Sequence, residues 1–100
     1  MATAQIRWLR PDEGGRLQPP PGPRYSTVAR FERQTEDQWK EEAWSLVIEF
    51  NGRPDESGQQ VAAVRFLSEN GPAKWLRPAS KFSLYEGEKK VAEGTVLGGP

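Results

Sequence analysis

The chain is 100 residues long, with 14 basic and 14 acidic side chains and neither His nor Cys. That length fits a single domain. The missing Cys excludes a disulfide framework, a thiolate metal site and a thiol nucleophile, and the missing His excludes an imidazole base or pH switch.

Ten Gly and nine Pro cluster at residues 11–23, 51–58, 70–78 and 98–100, leaving short runs between them. Short runs punctuated by turn residues predict an all-β domain. The first run, Thr3–Arg10, alternates Ala4, Ile6 and Trp8 against Gln5 and Arg7, the period of a half-buried strand. Arg24–Glu32 places Tyr25, Thr27, Ala29 and Phe31 on one face. Ala43–Phe50 is the clearest strand, with Trp44, Leu46, Ile48 and Phe50 opposed by Ser45, Val47 and Glu49. Gln60–Leu67 has few polar positions, so both of its faces are expected to be covered. Lys81–Glu86 and Lys90–Leu97 pair as a hairpin, with Gly87 supplying a positive φ in the turn.

Between the second and third strands, Thr35-Glu36-Asp37-Gln38 fits a capping box, which would set Trp39 and Ala43 one helical turn apart. The alternative is a charged loop with Trp39 tucked beneath it. Six short strands are expected to close into a small barrel, which removes exposed sheet edges. That single barrel domain spans residues 1–97, with residues 98–100 as a flexible tail. Of the four tryptophans, Trp8 and Trp44 belong to strand patterns and to the core. Trp39 and Trp75 lie in polar surroundings, where packing is favoured over an exposed contact role.

The chain carries no catalytic constellation. Glu41 and Glu42 are adjacent and point apart on a helix or a strand. Asp55-Glu56 reads as a solvated loop rather than a cation site, and serine has no His to activate it. Neither a metal nor a cofactor is expected, and the chain is read as non-enzymatic. No apolar run approaches the ~20 residues of a membrane span. Met1–Arg10 has no apolar signal region, so a cytoplasmic location is expected.

Two polar motifs remain. Asp12-Glu13-Gly14-Gly15-Arg16 permits a tight turn or a close backbone approach, with Arg16 free to fork onto a carboxylate or phosphate. Taken alone it reads as an ordinary turn between strands. The following Pro-rich stretch contains a PxxP from Pro20 to Pro23, then Arg24. Inside a connection between strands it reads as a rigid structural loop. The zero net charge is also uneven along the chain. Residues 1–33 hold six basic and three acidic side chains, residues 34–60 two and seven, and residues 61–100 six and four.

The two ends of the chain resemble a known family. Glu13, Gly14, Gly15, Arg16, one of the prolines 19–21, Gly22, Arg24 and Arg30 match the opening of the C-terminal β-barrel domain of elongation factor Tu. Phe82, Leu84, Glu86, Gly87, Lys89, Val91, Gly94 and Val96 match its closing hairpin at the same spacing. The likeness covers about half of the chain; residues 33–70, which hold the acidic block, lie outside it. It implies a six-stranded antiparallel Greek-key barrel. It also implies a bacterial, translation-related, non-catalytic interaction module that meets a protein partner through Glu13, Gly14, Gly15, Arg16, Arg24, Glu86, Gly87 and Lys89. Because that domain also contacts the stem of tRNA in the family, RNA is the alternative partner, through Arg16, Arg24, Arg30, Lys89 and Lys90.

Overall fold

The computed structural model describes residues 1–98. Six strands form where the alternating runs predict them: β1 (Ala2–Trp8), β2 (Arg24–Phe31), β3 (Trp44–Asn51), β4 (Gln59–Phe66), β5 (Lys81–Glu86) and β6 (Lys89–Gly98). Every neighbouring pair is antiparallel, and the order β1-β4-β3-β2-β5-β6 closes back on β1. Strands β2, β3 and β4 follow one another as neighbours, and β1 lies beside β4, so the all-β barrel has the Greek-key connection. β6 reaches Gly98, which pairs with Thr3, one residue beyond the expected domain end. The rest of the expected tail, residues 99 and 100, lies outside the described residues.

The period of two along each strand builds the core. Ala2, Ala4, Ile6 and Trp8 of β1 point inward with Leu46 and Ile48 of β3, Ala62 and Val64 of β4, and Leu84 of β5. Small residues on some strands leave room for rings on others. Gly94 sits opposite Phe82 in the β5–β6 register, and a Cβ at Gly94 would stand 2.9 Å from Phe82 Cε1 and overlap Cζ. The expectation that both faces of the fourth strand are covered is corrected: Ala62, Val64 and Phe66 are buried while Val61 is exposed. On β3, by contrast, the outward-facing Val47, with Ser26 and Arg65 as its register partners, is buried.

The capping box forms as a helix, α1 (Glu36–Glu41), with the Gln38 N–H donating to Thr35 Oγ1 at 3.1 Å and the Thr35 N–H donating to Gln38 Oε1 at 2.9 Å. The helix stops before Ala43, so Trp39 and Ala43 do not lie one turn apart on a helical face as expected. Trp39 instead lies on Tyr85 with ring centroids 4.7 Å apart, and its indole N–H donates to the Ala29 carbonyl at 3.0 Å. Trp75 packs on Phe31 at 5.4 Å. Trp8 is buried; the other three tryptophans are half-buried against the barrel, so all four are packing residues.

Antiparallel pairing sorts the connections to two ends. The 32–43 connection with α1 and the 67–80 connection cap one end. The 9–23 connection, the 52–58 turn and the 87–88 turn gather at the other. No helix is long and apolar enough to cross a membrane among the described residues.

Candidate functional site

The second of these ends holds most of the residues singled out from sequence. After Trp8 the chain turns through a 3-10 segment, Pro11–Glu13. The Glu13 carboxylate closes that turn by accepting from the Arg10 N–H at 2.9 Å. This bond, reinforced by Arg7 at 3.3 Å, holds its pKa below the usual carboxylate range.

The paired glycines have separate jobs. Gly14 takes φ +89° with open space around it, whereas Gly15 is buried against the backbone of Leu9. A Cβ at Gly15 would stand 2.5 Å from the Leu9 carbonyl carbon and overlap its oxygen.

Arg16 reaches the closing hairpin. Its guanidinium pairs with Glu86, its Nε–H donates to the Gln18 carbonyl at 3.0 Å, and it lies 5.8 Å from the Tyr25 ring centroid. The Tyr25 hydroxyl donates to the same Glu86 carboxylate. Burial alone would raise the Glu86 pKa, but the Tyr25 hydroxyl and the Arg16 guanidinium outweigh it, and the carboxyl stays below its usual range. Burial first, then the hydrogen bond to an anion, pushes the Tyr25 hydroxyl up to about 12. Two loops separated by some seventy residues are therefore fastened into one surface. Gly87, at φ +65°, turns the hairpin and leaves Glu86 and Lys89 as register partners.

Beside this surface lies a groove of about 1100 Å³ between the 9–23 connection and the 52–58 turn. Its wall is built on a polar chain: the Trp8 indole N–H donates to Gln60 Oε1 at 2.8 Å, and Gln60 Nε2 donates to the Gly52 carbonyl at 2.9 Å. Asp55 pins the 52–58 turn by accepting from the Ser57 hydroxyl and N–H and the Gln59 N–H, which lowers its pKa. Leu17 stands at the groove rim with 87% of its surface exposed.

The cations of the RNA alternative do not form one open face. Arg16 is paired with Glu86, Arg24 with Glu49 at 3.1 Å, and Lys90 with Glu93 at 2.7 Å. Arg30 lies nearer the α1 end, with its guanidinium 5.8 Å from the Trp39 ring. Lys89 has no ion pair among the described residues.

Sequence reasoning missed Tyr25 and Leu17. Tyr25 carried a signal, a hydroxyl at the first inward position of its strand, where the barrel mouth is still wet. Leu17 carried another, a lone large apolar residue in a polar, Pro-rich stretch. Among the described residues no cluster of three acidic side chains could hold a metal ion, and no buried side-chain nitrogen or oxygen lacks a partner. The chain matches no protein-family model, no curated protein and no solved structure.

Proposed function

We propose that the chain is a non-catalytic interaction module that binds a protein partner through the barrel end bearing Gly14–Arg16 and Glu86–Lys89. The observation that carries this reading is the Arg16–Glu86–Tyr25 cluster. It holds two sequence-distant loops as one pre-formed surface beside a groove with Leu17 exposed at its rim. A pre-formed surface loses little conformational freedom on docking, and Leu17 adds apolar surface at the edge of the groove. The resemblance to the C-terminal barrel of elongation factor Tu supports the same two loops as a contact face and a bacterial, cytoplasmic, translation-related setting. RNA-stem binding has less support, because three of its five cations are already matched by carboxylates.

The test is capture from a bacterial lysate at moderate salt with the immobilised full chain and with its Leu17→Asp variant. The reading expects a stoichiometric partner with the native chain and its loss with the variant, which removes no buried contact. No partner with the native chain, together with a clean monomer by light scattering, would overturn it. A tRNA gel shift that weakens steeply with salt would favour the RNA alternative.

A further inference from the structure

The connection between β1 and β2 runs from residue 9 to residue 23 with only the 3-10 turn Pro11–Glu13 inside it. Irregular connections beyond about 12 residues are uncommon in compact domains and are usually functional. From Arg16 to Gly22 the segment makes no backbone–backbone hydrogen bond among the described residues; the next is the Pro23 carbonyl accepting from the Phe50 N–H at 3.0 Å. Proline fixes φ near −65°, and a residue before proline is driven to extended backbone. Gln18, Pro19 and Pro20 each precede a proline, so the local sequence favours polyproline II backbone over these residues. In the segment Pro20 is half-buried, while Pro19 and Pro21 on either side are exposed. Gly22 then turns the chain at φ +86° with open space around it. Arg24 follows with its side chain 62% exposed.

We propose that Leu17–Arg24 is a ligand for a proline-recognition domain, a partner whose aromatic-lined groove takes Pro19 and Pro21 and whose carboxylate meets Arg24. The proposal rests on the interaction-module reading and names the partner's class. The chemistry fits this mode of recognition. Proline rings offer apolar surface that is already ordered, and unpaired carbonyls between them accept from groove donors. The segment is tied at one end by Arg16 to Glu86 and at the other by Pro23 to Phe50, so little freedom is lost on binding. Arg24 exchanges an exposed pair with Glu49 for one with the partner, and an exposed pair of that kind is weak enough to give up.

The experiment titrates the isotope-labelled full chain with an isolated SH3, WW and EVH1 domain and follows backbone amide resonances. At least one domain is expected to move Leu17, Gln18, Gly22 and Arg24 while leaving α1 unmoved. The double variant Pro19→Ala/Pro21→Ala should weaken that binding about tenfold or more. It should still unfold cooperatively, with its melting temperature lowered only by the freedom that two alanines add to the unfolded chain, because both prolines are exposed and make no core contact. Absence of shifts with all three domains, or equal binding by the double variant, overturns the proposal. Lysate capture separates the two readings. If the double variant keeps a partner that the native chain recovers, the proline proposal fails and the interaction module stands. If the native chain recovers nothing, the module reading fails by itself.

Discussion

Replacing Gly15 by alanine tests how the site is built, because the two adjacent glycines answer to different physics. At Gly14 the backbone is left-handed, φ +89°, and a Cβ would meet nothing within 4 Å. Gly14→Ala therefore carries only the conformational penalty of a left-handed residue, roughly 1–2 kcal/mol. At Gly15 the obstacle is space. The new Cβ would stand 2.5 Å from the Leu9 carbonyl carbon and 2.7 Å from its Cβ. Leu9 cannot simply step aside, since its N–H donates to the Val91 carbonyl at 3.0 Å and ties it to β6. Gly15 is itself tied, its N–H donating to the Arg10 carbonyl at 2.9 Å. Overpacking against fixed neighbours costs about 1–3 kcal/mol and sometimes more; with backbone on both sides of the clash the upper value applies, about 3 kcal/mol. A domain of this size has roughly 5–15 kcal/mol in all, and each kcal/mol moves its melting point by about 4–8 °C, so Gly15→Ala should melt about 12–24 °C lower. Scanning calorimetry and urea unfolding of both variants provide the measurement. A Gly15→Ala protein melting within about 2 °C of native, or a Gly14→Ala protein less stable than Gly15→Ala, would refute the assignment of space to one glycine and conformation to the other.

Gly94→Ala should lose about 1–3 kcal/mol in urea unfolding, because its Cβ would overlap the buried Phe82 ring; pairing it with Phe82→Leu should recover part of that loss. Thr35→Ala removes the oxygen that accepts from the Gln38 N–H and should lower stability by about 1 kcal/mol. The Glu86 carboxyl is held below its usual range, so its contribution is complete above the unfolded-state pKa and is lost as pH falls through the folded value. Glu86→Gln should flatten that acid limb in a stability-against-pH series, and an unchanged limb would remove Glu86 from the cluster's energetics. Tyr25 runs the other way: with its pKa raised from 10.0 to about 12, its contribution is complete below pH 10 and is lost as pH rises toward 12. Tyrosinate absorbance should show one late-titrating hydroxyl that disappears in Tyr25→Phe.

The strands were legible because their burial alternates with period two, a property that residue order alone carries. Lys81–Glu86 coincides with β5 residue for residue, and Thr35–Gln38 marked the start of α1 by hydrogen bonds that need no tertiary partner. The reading went astray where burial depends on neighbours several strands away. Val47 looked solvent-facing and is enclosed, while Val61 looked covered and is exposed, because only the barrel order decides what lies beside each. The site shows the same division. Gly14, Gly15, Arg16, Glu86 and Gly87 were marked through the family resemblance, since their chemistry alone reads as ordinary turns, and the Arg16–Glu86 pair joins the two marked stretches. The groove was invisible, since its second wall, the 52–58 turn, meets the first only through Trp8, Gln60 and Gly52.

The charge distribution carries the same lesson about order and space. Along the chain the signs are segregated, with an acidic block between two mildly basic ends. Near the site one pair, Arg24–Glu49, crosses from a basic end to the acidic block, and two more join the basic ends to each other. Arg7 pairs with Glu93 at 2.7 Å, Arg16 with Glu86 and Arg24 with Glu49, each joining residues far apart in sequence. The acidic block is itself split, with Glu36, Asp37 and Glu41 on α1 at one end and Asp55 and Glu56 in the turn at the other. Exposed pairs of this kind contribute only about 0–1 kcal/mol each, so their consequence lies in geometry more than in stability. Arg16 is immobilised between Glu86 and the Gln18 carbonyl and fixes the root of the proline segment. Paired charges of this kind offer an incoming macromolecule little long-range attraction, so under the interaction-module proposal recognition would fall to shape, to the apolar rim at Leu17, and to the charges, Lys89 and Arg53 beside the site among them, that have no ion pair among the described residues.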